Sequence, residues 1–163
     1  KRKDMLKTNT KMTEKNSFLI VIILKLKKMT LIKNTSSPCT ALAYRVARVV
    51  YAQTGATSLT LVEAMTSMIK NISDVSGVDI SDIIQDKNIF DALATESSRH
   101  HRITEPATSR AFQMCVRTAQ RMLSGGLGDK CFGATRFHHS DVIPQWATSR
   151  GYIADIDGVL FYL

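Results

Sequence analysis

Four carboxylates in the body of this chain are candidates for acid–base chemistry: Glu63, Glu96, Glu105 and Asp129. Proton donation to a leaving group needs a carboxyl whose pKa is raised by burial or by a neighbouring like charge. Glu63 closes Thr60-Leu61-Val62-Glu63, which has the form of a capping box, so a free backbone amide accounts for it. Glu96 and Glu105 stand at the ends of a polar stretch and are placed to fold over a cleft. Asp129, shortly before Gly133-Ala134-Thr135, has the position of a turn former.

Histidines come in adjacent pairs, His100-His101 and His138-His139. Neighbours on a strand point to opposite faces, so His138 and His139 do not both bind one ion, and no carboxylate or cysteine stands at a zinc spacing; no metal or cofactor is expected. His138 remains a cleft candidate, because it follows the Gly-Ala-Thr segment. Trp146, the only tryptophan, lies behind Pro144. It serves either as a stacking platform for a ligand or as an anchor for its loop. Three cysteines, Cys39, Cys115 and Cys131, cannot all pair and lack the spacing of a zinc site, so free thiols are expected.

The elements that position these residues follow from periodicity. Ser36-Ser37-Pro38 opens a helix over about 39–53, with Leu42, Val46, Val49 and Val50 on its buried stripe and Gly55 as its breaker. Val62, Met65, Met68 and Ile69 line a second helix that runs from the Thr60 box to Asn71. The span 78–93 carries Ile80, Ile83, Ile84 and Phe90 and predicts a weaker helix; 95–104 predicts a surface loop. The clearest helix covers 107–123 and ends on Ser124-Gly125-Gly126. Beyond Lys130, residues 132–138 and 159–163 predict two strands of a small antiparallel sheet, with Pro144-Gln145-Trp146 as a rigid corner. The fold class is mainly α (α+β).

Charge divides the chain unevenly. Residues 1–33 hold ten Lys/Arg against Asp4 and Glu14, which accounts for the whole net charge of +8. From Asn34 onward twelve basic residues balance twelve acidic ones. Residues 1–37 are therefore set apart as a basic arm, flexible or targeting, and 38–163 as the domain. Such an arm attracts anionic membrane or acidic polymer. No specific nucleic acid is expected, because the neutral body has no basic aromatic stripe. Phe18–Leu24 is apolar but too short to span a membrane as a helix. With Lys11 and Lys15 before it, it resembles the core of an export signal, which would place the protein in the cell envelope or periplasm. Lys25, Lys27 and Lys28 follow at once without a small-residue cleavage site, which leaves a cytoplasmic location or a start at Met29 as alternatives.

Several short segments stand in one order: Tyr51-Ala52-Gln53, Ala64-Met65-Thr66 with Asn71, Leu123-Ser124-Gly125, Asp129, Gly133-Ala134-Thr135-Arg136-Phe137, Pro144-Gln145-Trp146 and Phe161-Tyr162. This series resembles the SleB-like cell-wall hydrolases, the family that includes spore-cortex lytic enzymes. The family motif opens Tyr-x-Glu-Ala-Arg-Gly-Glu and reaches Ala-Val-Ala-x-Val-x-x-Asn-Arg after about ten residues. Its later half has Leu-Ser-Gly, Gly-Ala-Thr-His-Tyr, Pro-x-Trp and a closing Phe-Tyr. The resemblance covers about residues 41–163. It implies a lysozyme-like helical domain with a small strand-and-loop C-terminal lobe, and glycan strands of peptidoglycan as the partner. It also implies a groove with Tyr51, Asn71, Thr135, Arg136, His138 and Trp146 as substrate-binding residues.

The departures fall on the chemistry. Gln53 stands where the family carries its catalytic glutamate; Gly55, Ala56 and Thr57 replace arginine, glycine and the second glutamate; Arg136 replaces a histidine, and Val159 another. Glutamine donates a hydrogen bond but does not transfer a proton at useful rates. General acid catalysis is typically worth about 10² to 10⁴ in rate. Three readings follow. The chain is a peptidoglycan hydrolase using Glu96, Glu105 or Glu63 as a substitute acid. Alternatively, and favoured on this chemistry, it is a non-catalytic homologue that binds peptidoglycan or a protein. The third reading is a membrane- or nucleic-acid-associated protein acting through its arm.

Overall fold

The computed structural model describes residues 30–163. The apolar run at 18–24, the Met29 start and nearly all of the basic arm lie outside the described residues. One compact unit runs Ile32–Leu163. It starts ahead of residue 38 because Ile32 is bound to the body. Its N–H donates to Gln113 Oε1 at 2.8 Å, and its carbonyl accepts from Gln113 Nε2 at 3.2 Å.

Helix α1 (Pro38–Thr54) begins with proline in its first turn. Ser37 holds the cap position with extended backbone, but its side chain makes no capping bond. Ala43, Val46, Ala47 and Val50 are fully buried on one face. Gly55 ends the helix in the left-handed region at φ 64°, its N–H donating to the Tyr51 carbonyl at 2.7 Å.

Helix α2 (Leu59–Ser76) starts earlier and ends later than its sequence pattern predicts. Ser58, not Thr60, is the cap, accepting from the Leu61 amide at 3.1 Å. Glu63 does not close a capping box; its carboxylate pairs with Arg121 at 2.6 Å. Asn71 lies inside the helix, which continues to a left-handed Gly77.

The predicted helix over 78–93 is largely absent. Only α3 (Ile80–Ile83) forms, followed by turns and a 3₁₀ turn at Asp91–Leu93. Short acidic side chains take the local backbone amides. Asp79 caps α3, accepting from Ser81 N at 2.7 Å, and in the turn beyond it Asp86 accepts from Asn88 N at 2.8 Å, a geometry that competes with helix propagation. Ile83, Ile84 and Phe90 are buried all the same. The polar stretch that follows contains a second 3₁₀ segment, His100–Thr104.

Helix α4 (Arg110–Leu123) is capped by Ser109, which accepts from Phe112 N at 3.1 Å. A turn closed by Ser109 N–H to the Pro106 carbonyl keeps 107–109 out of it. Phe112, fully buried, packs on Tyr44 and Tyr51 of α1 with ring centroids 5.7 and 6.2 Å away. The Arg48 guanidinium covers its ring at 4.1 Å. Burying one such ring contributes roughly 1.5–3 kcal/mol.

Three strands, β1 (Arg136–His139), β2 (Ala154–Ile156) and β3 (Val159–Tyr162), form an antiparallel sheet in the order β1-β3-β2. The first starts at 136 rather than 132, because Phe132 and Gly133 are left-handed, at φ 56° and 80°. The middle pairing sets Phe137 opposite Phe161 and His139 opposite Val159. Strand β2 was not predicted. Its hairpin turns on Asp157-Gly158, both at positive φ, the two-residue loop that suits the twist of paired strands. The domain is therefore α+β, with helices dominant and one small antiparallel sheet.

Two outcomes check this architecture. Ser58→Ala should cost about 1 kcal/mol in urea unfolding while Thr60→Ala costs little, the reverse of a Thr60 cap. The thiols offer a second test. Cys39 is exposed, burial pushes Cys115 up to about 12, and burial with Asp129 beside it raises Cys131 as well. One thiol of three should react with an aromatic disulfide reagent in the folded protein, and all three in urea.

Candidate functional site

Gln53 is fully buried near the end of α1. Its side chain joins three stretches of chain. The amide nitrogen donates to Asp91 Oδ1 at 2.6 Å and lies 2.8 Å from His139 Nε2 on β1. The amide oxygen accepts from the backbone N–H of Ala92 at 3.3 Å. Asp91 in turn accepts from Ser97 Oγ at 2.9 Å and from Arg99 Nη1 at 3.1 Å. The other arm of Arg99 holds both oxygens of Asp141, at 2.9 and 3.1 Å.

Asp91, Arg99, His139 and Asp141 line an open cavity of about 210 Å³ with Phe137 and Trp146. A second opening of about 410 Å³ adjoins it, lined by Thr135, Arg136 and Ile72 among others. Asn88, Ile89, Phe137 and Trp146 border both, so the two form one trough across the β1 side of the domain.

Electrostatics keep the charged end of this trough ionised but unprotonated. Burial disfavours the Asp91 carboxylate, yet hydrogen bonds from Gln53 and Ser97 and the charge of Arg99 outweigh it, holding the group below its ordinary 3.8. His139 is held below its ordinary 6.5, chiefly by burial and then by the Arg99 charge; Asp91 and Asp141 only partly offset these. The imidazole is neutral at pH 7.

The residues expected to act from sequence divide into two sets. Thr135, Arg136, His138 and Trp146 do gather at the trough. His138 is buried and tied down, with Nδ1 2.8 Å from the His139 carbonyl and Nε2 2.9 Å from the Tyr162 hydroxyl. Trp146 is both anchor and wall. It meets His138 and Tyr162 edge-on at 5.9 and 5.2 Å, while lining both openings, and Arg136 lies 5.7 Å from its ring.

Tyr51 does not share a groove with Gln53. Two residues before it on the helix, Tyr51 points elsewhere, packs on Phe112 and bonds Glu105; burial and Glu105 raise its pKa. Glu105 is thereby occupied, and its carbonyl also accepts from Arg48. Glu96 is exposed, bonded to Thr95 Oγ1 at 3.1 Å, and Glu63 is paired with Arg121. None of these three glutamates lines either opening. Asn71 is a clamp rather than a trough residue. Its Nδ2 reaches the Ala134 carbonyl at 3.2 Å and Asp129 Oδ1 at 3.3 Å. Asp129 forms the turn before β1, accepting from the amides of Cys131 and Gly133.

Sequence reasoning missed Asp91, Arg99 and Asp141 and weighed His139 only as a metal ligand. Alternation gave no signal for His139, since it sends that residue to the face opposite the cleft candidate His138, yet both residues border the smaller opening. The charged trio has no motif, because turns bring it together. Among the described residues no three His, Cys, Asp or Glu side chains are grouped to hold a metal ion, and no helix is long and apolar enough to cross a membrane. Comparison with protein-family models, curated proteins and solved structures finds no match to this chain.

The His139 shift has a definite sign. The unfolded chain takes up a proton near 6.5, while the folded site resists it. This contribution to stability is complete above 6.5 and is lost as pH falls from there toward the folded value. The urea midpoint should therefore drop on acidification below 6.5, and His139→Gln should flatten that limb. An unchanged slope would remove His139 from the account. Asp91 contributes separately: its share is present above 3.8 and is lost as pH falls through its lower folded value.

Proposed function

We propose that this domain binds glycan strands of peptidoglycan without cleaving them, as a lysozyme-like relative of the SleB-like cell-wall hydrolases. The observation that carries this reading is the buried Gln53 amide bonded to Asp91 and His139. Cleaving a glycosidic bond requires a protonated carboxyl beside the leaving oxygen and a second group opposite it. At the position where the family resemblance places that acid, this chain has an amide. The nearest carboxyl is Asp91, which its hydrogen bonds keep ionised. Asp141 is engaged by Arg99, and His139 is neutral with a lone pair toward Gln53.

Binding needs none of these protons. The open trough offers the Trp146 and Phe137 rings to the apolar faces of sugars, and Thr135, Arg136 and Asn88 as polar contacts. An aromatic wall with scattered polar groups matches an extended sugar chain better than a small anion, which Asp91 and Asp141 oppose at the smaller opening.

Cosedimentation with purified peptidoglycan, alongside release of soluble fragments, tests the reading. The natural protein should sediment with the polymer and release nothing. Trp146→Ala should weaken binding by about tenfold, the effect of losing one stacking contact. Gln53→Glu measures the missing acid: set beside ionised Asp91 its carboxyl pKa would rise, and fragment release above the natural protein would place the lesion there. Fragment release by the natural protein overturns the reading. Binding that survives Trp146→Ala and disappears with added salt assigns it to the basic arm instead.

A further inference from the structure

The hydrogen-bond logic around Gln53 determines more than the loss of an acid. A glutamine amide can be turned over, exchanging its oxygen and nitrogen, and its neighbours choose between the two settings. Here both neighbours choose the same one. Turning the amide would set its oxygen against the Asp91 carboxylate at 2.6 Å and its N–H groups against the Ala92 N–H. With the nitrogen facing Asp91, one of its two hydrogens goes to that carboxylate. The other points at His139 Nε2, 2.8 Å away. That ring nitrogen must then present a lone pair, so the neutral imidazole carries its proton on Nδ1.

The Nδ1 atom has no protein partner among the described residues. No buried side-chain nitrogen or oxygen lacks one, so Nδ1 is open to solvent on the side where His139 lines the smaller opening. We propose that Gln53 is a tautomer-setting residue: tied to Asp91, it makes His139 present an Nδ1–H donor to the cavity, for a neutral carbonyl or hydroxyl oxygen of a ligand.

The rest of the cavity restricts that ligand further. Arg99 is spent on Asp91 and Asp141, so it offers no free fork to an anion. Asp91 and Asp141 are both half-exposed or more and supply acceptor oxygens. A group with an acceptor oxygen and an N–H or O–H donor side by side satisfies both kinds of partner. An acetamido group has this pattern without a charge, whereas phosphate and carboxylate bring a negative charge that Asp91 and Asp141 oppose. The choice of an acetamido sugar rests on the glycan-binding reading; the tautomer does not.

The charged groups facing His139 are Arg99 and Arg102, which disfavour its protonation, and Asp91 and Asp141, which favour it. Protonation would place an N–H on Nε2 against the N–H of Gln53. The amide would have to turn, giving up its bond to Asp91. Acidification should therefore break the Gln53–Asp91 link while leaving the Nδ1–H donor in place on a charged ring.

Nitrogen-15 NMR of the imidazole side chains of the full chain reads the tautomer directly. At neutral pH, His139 should show a protonated, pyrrole-type Nδ1 and an unprotonated, pyridine-type Nε2, the reverse of the preference of free histidine. In Gln53→Glu the proton kept by the carboxyl pair lies between the new carboxyl and Asp91, so the oxygen left toward His139 accepts; the imidazole proton should move to Nε2 and the midpoint of titration should rise. Asp91→Asn, which keeps an acceptor oxygen but removes the charge, should retain the Nδ1–H form and lower that midpoint; it serves where Gln53→Glu does not fold. A protonated Nε2 in the natural protein overturns the proposal. Triacetylchitotriose should shift the Nδ1 signal, and inorganic phosphate should not. A larger response to phosphate, or none to the sugar, overturns the ligand class. If the tautomer is found but peptidoglycan does not cosediment, the glycan reading fails and the Gln53 assignment stands.

Discussion

The buried Gln53 side chain is the point on which the functional end of this domain depends. Three stretches that share no regular secondary structure with one another meet at its amide: the end of α1, the turn at Asp91 and Ala92, and strand β1. A buried amide must find partners for its donors and its oxygen, and leaving one unmade costs about 1–3 kcal/mol. Those requirements set where the 91–99 segment runs. Through Asp91 they extend to Arg99, and through Arg99 to Asp141 beyond β1. The trough has one wall of aromatic rings because Phe137 and Trp146 pack from the sheet side. Its other wall is charged because this chain of hydrogen bonds ends in solvent.

The helical frame beneath it was legible where one period dominates. In α1 and α2 the buried positions recur at helical spacing, and glycine stands at each end. Phe112, Cys115, Ala119 and Met122 mark α4 equally well. The failure at 78–93 is instructive, because its apolar residues are buried as expected without a helix to carry them. Asp82, Asp86 and Asn88 fall in the same short span, and residues of this kind hold local amides in turns, as Asp86 does for Asn88. Apolar spacing reported burial there, and capping chemistry decided conformation. Strand β2 was hidden for the opposite reason. It has three residues, too few to show a period, although Asp157-Gly158 was the strongest hairpin signal in the chain.

The candidate site was legible only in part. Gln53, Thr135, Arg136, His138 and Trp146 stand in short motifs, and the fold sets them at or beneath one trough. Tyr51 was grouped with Gln53 by proximity in sequence, but positions two apart on a helix face different neighbours. The three glutamates weighed as acids are each committed elsewhere, to Arg121, Thr95 and Tyr51. Asp91, Arg99 and Asp141 meet only through turns, and turn geometry leaves little trace in spacing. The common rule is that a motif marks where backbone must go, while the partners of a buried polar group become visible only when the packing is known.

Position 53 also shows how one environment suits two side chains for opposite reasons. A carboxyl there would lie within hydrogen-bond distance of Asp91, since the present amide nitrogen is 2.6 Å from Oδ1. Two carboxylates so close do not both ionise, and one would keep its proton near neutral pH, which is the condition a general acid needs. The same arrangement stores repulsion in the folded state. Glutamine removes it, donating to Asp91 and His139 at once and using its oxygen for Ala92. Every polar atom of the side chain is then bonded without any group holding a strained charge. The surroundings that would raise the pKa of an acid thus make an amide the more stable occupant. Stability and proton donation compete for this one position. In this chain the contest is resolved in favour of stability, and the neighbouring imidazole is left as the neutral donor at the surface of the trough.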